Sequence, residues 1–253
     1  MPALDRARLP FAEQIAFFRA KLGNLVPTEK WTDLWKAQHD RAFMVAGAQK
    51  ADLLADLFWS VERAISDGQG IGDFRKAFDA IVDEHGWAYR GERNWRTRVI
   101  YQTNMSTSYA AGRLAQLRDP DLQKLKPFWM YKHSDSVLHP RPLHVNWDGL
   151  TLPADDPWFL THYPPNGWGC KCRVVAVSAG EAKRKGGRMG PAPDDGFDPV
   201  AQAPNGIDRG WGYMPGNTVS VDVARAIRDK SHVFPAEIGA ALRRDLENIP
   251  PAP

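Results

Sequence analysis

Cys170 and Cys172 are the only cysteines in the chain, and four of its seven histidines (His133, His139, His144 and His162) stand a short way before them or between them and the preceding turns. Thiolate and imidazole groups together are the ligand set of tetrahedral zinc. His139, His144, Cys170 and Cys172 are the strongest cluster for such an ion, and structural zinc is the expected cofactor. If residues 170–177 form a strand, alternation turns both cysteines to one face, where they can grip one ion. The C-x-C spacing is tighter than the usual C-x₂₋₄-C knuckle. The plain alternative makes the cysteines small buried hydrophobes and gives His144 a backbone carbonyl as partner.

A hydrolytic centre is the second chemistry these types could support. His144 and Asn146, with Asp135 and Asp148, superficially match a site where a metal activates water. Asp148 has a simpler reading as the first residue of an Asp148-Gly149 turn. No base and nucleophile stand in an ordered set. The expectation is therefore no catalytic residue and no enzyme, with a metal-dependent nuclease or other hydrolase as the alternative. The basic run from Lys183 to Arg188 could meet phosphates, but Gly186-Gly187 interrupts it and a solvated linker accounts for it equally well. Trp147, Trp158 and Trp168 are read as anchors of a small core.

The stretch that holds these groups, 129–177, interleaves ligand-type residues with prolines and large aromatics. Phe128 to Tyr131 suits a strand buried on both faces. Asp148-Gly149, between Val145/Trp147 and Leu150/Leu152, predicts a hairpin. Pro164-Pro165-Asn166-Gly167 is a further turn.

Ahead of that module the periodicity is helical. Phe11, Ile15, Phe18 and Leu22 predict one helix. Thr28, as N-cap, with Trp31, Leu34, Trp35 and Phe43 predicts a second. Leu53 to Ile65 is the clearest amphipathic run, ended by Asp67-Gly68. Ile71 to Val82 is another, closed by His85-Gly86. A last helix runs from about Gly91 to Leu117, and Asp119-Pro120 breaks it. Its polar stretch 101–113 must face solvent or bond to the module that follows.

After Ser178 the composition turns to Gly, Pro and Asp without periodicity, as in a long connector or a surface-hugging arm. Short helices are expected at 219–228 and 236–246. The fold class is thus α+β: an N-terminal helical bundle over 1–120, a small antiparallel β module over 121–178, and an extended, mostly irregular C-terminal arm over 179–253.

The bulk numbers fit a folded protein. The 253 residues are 43% hydrophobic and 25% charged. A net charge of +3 is too mild to argue for nucleic acid by itself. Cysteines two apart in a strand lie roughly 6.5–7 Å apart at Cα, at the upper limit for a disulfide, so a reduced pair is the better reading. No start resembles a signal peptide, and no apolar run approaches the ~20 residues of a membrane helix. The expected location is the cytosol, with no membrane partner.

Taken in order, these pieces resemble a known family. Arg141-Pro142-x-His144, Asp148-Gly149, Asp155-Asp156-Pro157-Trp158 and Pro164-Pro165-Asn166-Gly167-Trp168-x-Cys170-x-Cys172-Arg173 resemble the phage Mu F-like and SPP1-type minor head proteins. Ala42-Phe43-x-Val45-Ala46-Gly47 and Tyr101-x-Thr103-Asn104 with Ala111-Gly112-Arg113 are similar to that family's helical part. Ile207-Asp208-x-Gly210-Trp211-x-Tyr213-x-Pro215-Gly216 is similar to a segment that follows its core. Lys171 and Met214 depart from the usual residues. The resemblance implies a few-copy protein of head morphogenesis, with portal and major capsid proteins as partners and a part in DNA packaging or ejection. Direct contact with phage DNA is left open. The implied location is the host cytoplasm during assembly and then the virion head. The cysteines and histidines would stabilise the small β module, with or without a metal.

Overall fold

The computed structural model describes residues 11–219. The helices expected at 219–228 and 236–246 and the arm at 1–9 therefore lie outside, or all but outside, the described residues. Apolar spacing dictates the main helices. α1 (Ala12–Arg19) runs on through a 3-10 turn to Gly23. The second predicted helix does not form as such; only α2 (Gln38–Arg41) is helical. The cause is local. Asp33 Oδ2 accepts from the backbone N–H groups of Glu29 and Lys30 at 2.8 and 2.9 Å, which closes a turn in place of a helix.

α3 (Ala51–Ser66) and α4 (Ile71–His85) follow the predicted runs. Gly86 ends α4 in the left-handed conformation. α5 (Arg93–Leu117) is the longest helix described. Its polar interior neither faces solvent throughout nor simply meets the β module. Thr107 and Ser108 bond back to the carbonyls of Thr103 and Asn104, and Ser108 Oγ accepts from Gln14 of α1 at 3.0 Å. Asp119 then caps α6 (Pro120–Leu125), with Pro120 in the first turn.

The strands are β1 (Phe128–Lys132), β2 (Leu150–Pro153), β3 (Arg173–Val177) and β4 (Arg188–Met189), in the spatial order β3-β1-β2-β4. β1 pairs antiparallel with both β2 and β3, while β4 adds a parallel edge to β2. The hairpin predicted at Asp148-Gly149 is absent. Residues before that turn form α7 (Pro142–Asn146), started by Pro142, and Gly149 leads into β2 instead. α8 (Phe159–His162) and α9 (Ala179–Arg184) are single short helices, the latter held by a capping box of Ser178 and Glu181. β1 is buried on both faces, as its composition predicts: Trp129 and Tyr131 enter one cluster and Met130 another.

Two larger cores share α5. Phe18, Phe43, Leu54, Phe58, Phe74 and Phe78 fill the helical one, which Ile100 of α5 joins. Phe18 lies over Phe58 at 4.8 Å between ring centroids. Leu114 and Leu117 of the same helix enter the second core with Trp129, Tyr131, Trp147 and Phe159. Among the described residues, the segment expected as an extended arm begins with α9 and β4 and is then irregular apart from the two-residue strands β5 (Phe197–Asp198) and β6 (Ala203–Pro204). It is nonetheless laid onto the core: Ala203, Ile207, Trp211 and Met214 are buried there. Trp168, predicted as an anchor, is 42% exposed, whereas Trp147 and Trp158 are buried. Its ring meets Trp31 and Trp211 edge-on at 6.0 and 5.1 Å.

Candidate metal centre

His144, Cys170 and Cys172 converge, with one ligand atom of each within 4.8 Å of the others. Two local structures bring them there. α7 presents His144 inward; it is 2% exposed and its ring stacks on Trp147 at 5.1 Å. The cysteines precede β3 rather than lying in it, so they reach the site from a loop and not by strand alternation as predicted. That loop is closed by the backbone bond from Cys170 N–H to the Gly167 carbonyl at 3.1 Å.

The loop is anchored from outside. Asp208 Oδ2 accepts from the Trp168 N–H at 2.8 Å and from Arg141 at 2.6 Å. A Cβ on Gly167 would collide with that carboxylate and with Arg141, so the close approach requires glycine there. Within the module, Tyr131 donates to Asn166 Oδ1 at 2.9 Å.

His144 has a defined tautomer. Its Nε2 lies 2.8 Å from the Gly206 carbonyl oxygen, which can only accept, so Nε2 carries the proton. In the neutral ring the lone pair is then on Nδ1. That atom lies 3.7 Å from Cys170 Sγ and 3.6 Å from Cys172 Sγ. Gly206 has φ +87°, and a Cβ there would meet the Trp147 ring at 2.8 Å, so this carbonyl also depends on a glycine. An outer N–H···O=C bond of this kind sets a metal-ligating imidazole.

The sulfurs are electrostatically unlike. The hydrogen bond from Cys172 lowers the Cys170 pKa, and His144 and the Asn166 N–H add to this against the opposing effect of burial. The Cys172 thiol is correspondingly held up, first by its bond to Cys170 and then by burial.

His139, the fourth predicted ligand, is exposed and stands outside the convergent group. His133, which sequence reasoning did not weigh as a ligand, has Nδ1 at 3.6 Å from Cys172 Sγ. The pairing of β1 with β3 explains it. Lys132 is opposite Arg173, so the next pair in that register is His133 and Cys172. The hydrolytic set does not come together. Asp148 is engaged by Lys132 at 2.7 Å and by the His133 N–H at 2.8 Å, while Asp135 and Asn146 are exposed. Both ring nitrogens of His144 face groups other than these. The basic run is exposed at Lys183, Arg184 and Lys185, but Arg188 donates to the backbone carbonyls of Asn146 and Asp148.

Two clefts flank this region. One of about 600 Å³ lies between the polar face of α5 and the cysteine loop, and Cys172 lines it. The other, of about 510 Å³, is lined by Trp31, Trp35, Trp95, Trp168 and Trp211, with Arg209 over Trp35. No helix among the described residues is long and apolar enough to cross a membrane.

Comparison with known proteins follows the same stretch. The chain is 37% identical over 196 residues to the "Putative capsid assembly protein F" of Escherichia phage Mu, covering 71% of this chain and 43% of that protein. It is 35% identical over 205 residues to the "Mu-like prophage FluMu F protein" of Haemophilus influenzae, covering 76% of this chain and 48% of that one. The chain thus spans a little under half the length of these relatives. No solved structure matches it. Residues 55–175, from within α3 to within β3, match the family described as Phage Mu protein F like protein. The chain belongs to the family of Phage Mu protein F-like proteins.

Proposed function

We propose that the protein works in the assembly of a bacteriophage or prophage head, as a structural fitting and not as a catalyst. The observation that carries this reading is the 37% identity over 196 residues to a relative named as a capsid assembly protein. The site geometry supports it. The histidine that a hydrolase would need turned toward substrate is buried, with its two nitrogens occupied by a carbonyl and two sulfurs. A group held in that way braces structure and does not activate water.

The finer reading places the protein at the portal, in contact with portal and major capsid subunits, and carries it from the host cytoplasm into the virion. The tryptophan-lined cleft supplies the type of surface such contacts use, since aromatic residues and arginine are enriched where proteins meet. A part in DNA packaging or ejection follows from that location.

Deletion from the parent phage tests the reading. The protein should co-sediment with procapsids, and particles made without it should be defective or non-infectious. Normal, infectious particles in its absence would remove the proposal. Metal-dependent cleavage of DNA by the purified protein, lost in His144→Ala, would replace it with the nuclease alternative.

A further inference from the structure

We infer that Cys170, Cys172, His144 and His133 form a closed, four-coordinate zinc site, with His133 and not His139 as its fourth ligand. Three of the four S···N edges of such a site already have the length a tetrahedral ion imposes. With Zn–S of about 2.3 Å and Zn–N of about 2.0–2.1 Å, the S···N edge of a tetrahedron is roughly 3.6 Å. The three S···N separations here are 3.7, 3.6 and 3.6 Å.

The donor atoms are also prepared for an ion. The Gly206 carbonyl fixes the proton of His144 on Nε2 and leaves the Nδ1 lone pair aimed between the sulfurs. Two thiolates cancel the charge of Zn²⁺, so the occupied site can sit against a core lined by Tyr131 and Trp147 without an unpaired buried charge.

His133 stands one step further out. It lies outside the tight group of His144, Cys170 and Cys172, meets only Cys172, and must rotate toward Cys170 to reach a common ion. It is half-buried one residue past the end of β1, and a change of rotamer would supply that rotation. Four protein ligands leave no position for water, which makes the site structural. It ties together the end of β1, α7, the 170–172 loop and, through Gly206, the segment after β6. The other group of possible ligands, Asp56, Glu84 and His85, lacks these features: it is an ion pair of His85 with Asp56 at 2.7 Å beside an exposed carboxylate.

The test uses the full chain, purified without chelator and analysed for metal, then stripped and titrated with Zn²⁺ or Co²⁺. One zinc per chain is expected, and the Co²⁺ form should show the intense visible bands of tetrahedral coordination with a thiolate charge-transfer band. Loss of an outer-shell partner alone costs 10–100-fold in metal affinity, so His133→Ala should weaken Zn²⁺ binding by at least about tenfold and change the Co²⁺ spectrum. His139→Ala should alter neither. If His133→Ala does not fold, His133→Cys serves instead: it should bind and shift the spectrum toward a three-sulfur site. Folded wild type that takes up no metal overturns the inference. So does a His133 variant with unchanged affinity and spectrum, or loss of binding in His139→Ala.

Discussion

Arg141 and Asp208 are 67 positions apart in the chain and meet at 2.6 Å, each side chain 29% exposed. The same Asp208 oxygen takes the Trp168 N–H, so one carboxylate joins the start of α7, the cysteine loop and the late irregular segment. Part of a charged bond network is shielded here, and its members are coupled.

Replacing Asp208 by Ala leaves the Trp168 N–H without its acceptor and the Arg141 guanidinium with the Trp168 carbonyl at 3.2 Å in place of a carboxylate. We expect a loss of about 1–3 kcal/mol in stability, read by urea denaturation. Arg141→Ala should cost less, because Asp208 keeps the Trp168 N–H. The double variant should fall short of the sum of the two. Strict additivity would show that the pair is not coupled.

The two cores should unfold together, because α5 carries Ile100 into one and Leu114 and Leu117 into the other. Phe58→Ala in the helical core and Leu152→Ala in the sheet core should each cost about 2–5 kcal/mol. Both should move one common thermal transition, read by calorimetry. Two separate transitions, each sensitive to only one variant, would refute a shared α5.

Acid should act through His39. Burial, with the Lys21 charge nearby, lowers its pKa from 6.5 to about 4. Between those values the unfolded chain binds a proton that the folded chain refuses. The contribution of neutral His39 is therefore full above about pH 6.5 and is lost as pH falls toward 4. His39→Gln lacks this loss, so stability of the wild type relative to the variant should decline over that window. Parallel stability–pH curves for the two would count against it.

Much of the helical part was legible in the residues themselves. The apolar spacing of 53–65 and 71–82 and the Gly86 stop each act within a few turns, and periodicity reports such local causes well. The run around Trp31 and Trp35 misled because Asp33 spends its carboxylate on two backbone N–H groups, and apolar spacing carries no mark of that competition. Trp129 to Tyr131 showed a strand with two buried faces, yet not its neighbours. Those neighbours decide the site. His133 meets Cys172 only through the register of β1 on β3, and His144 gains its proton-fixing carbonyl from Gly206, 62 residues later. Sequence chemistry named three groups that the fold brings together, His144, Cys170 and Cys172. It grouped them with His139, which lies apart, and not with His133, which meets Cys172, because pairing between distant strands leaves no signature beside either histidine.

Trp211 and Met214 fill the same core as Trp129 and Leu114. A chain emerging from the ribosome must therefore wait roughly eighty residues past β1 before that interior can close. Until then the apolar faces of β1 and α5 have no cover from this segment. Folding of the module is thus timed by the last residues to join it, and the nascent protein passes through a sticky, half-finished stage that a chaperone or an early-bound neighbour would shelter.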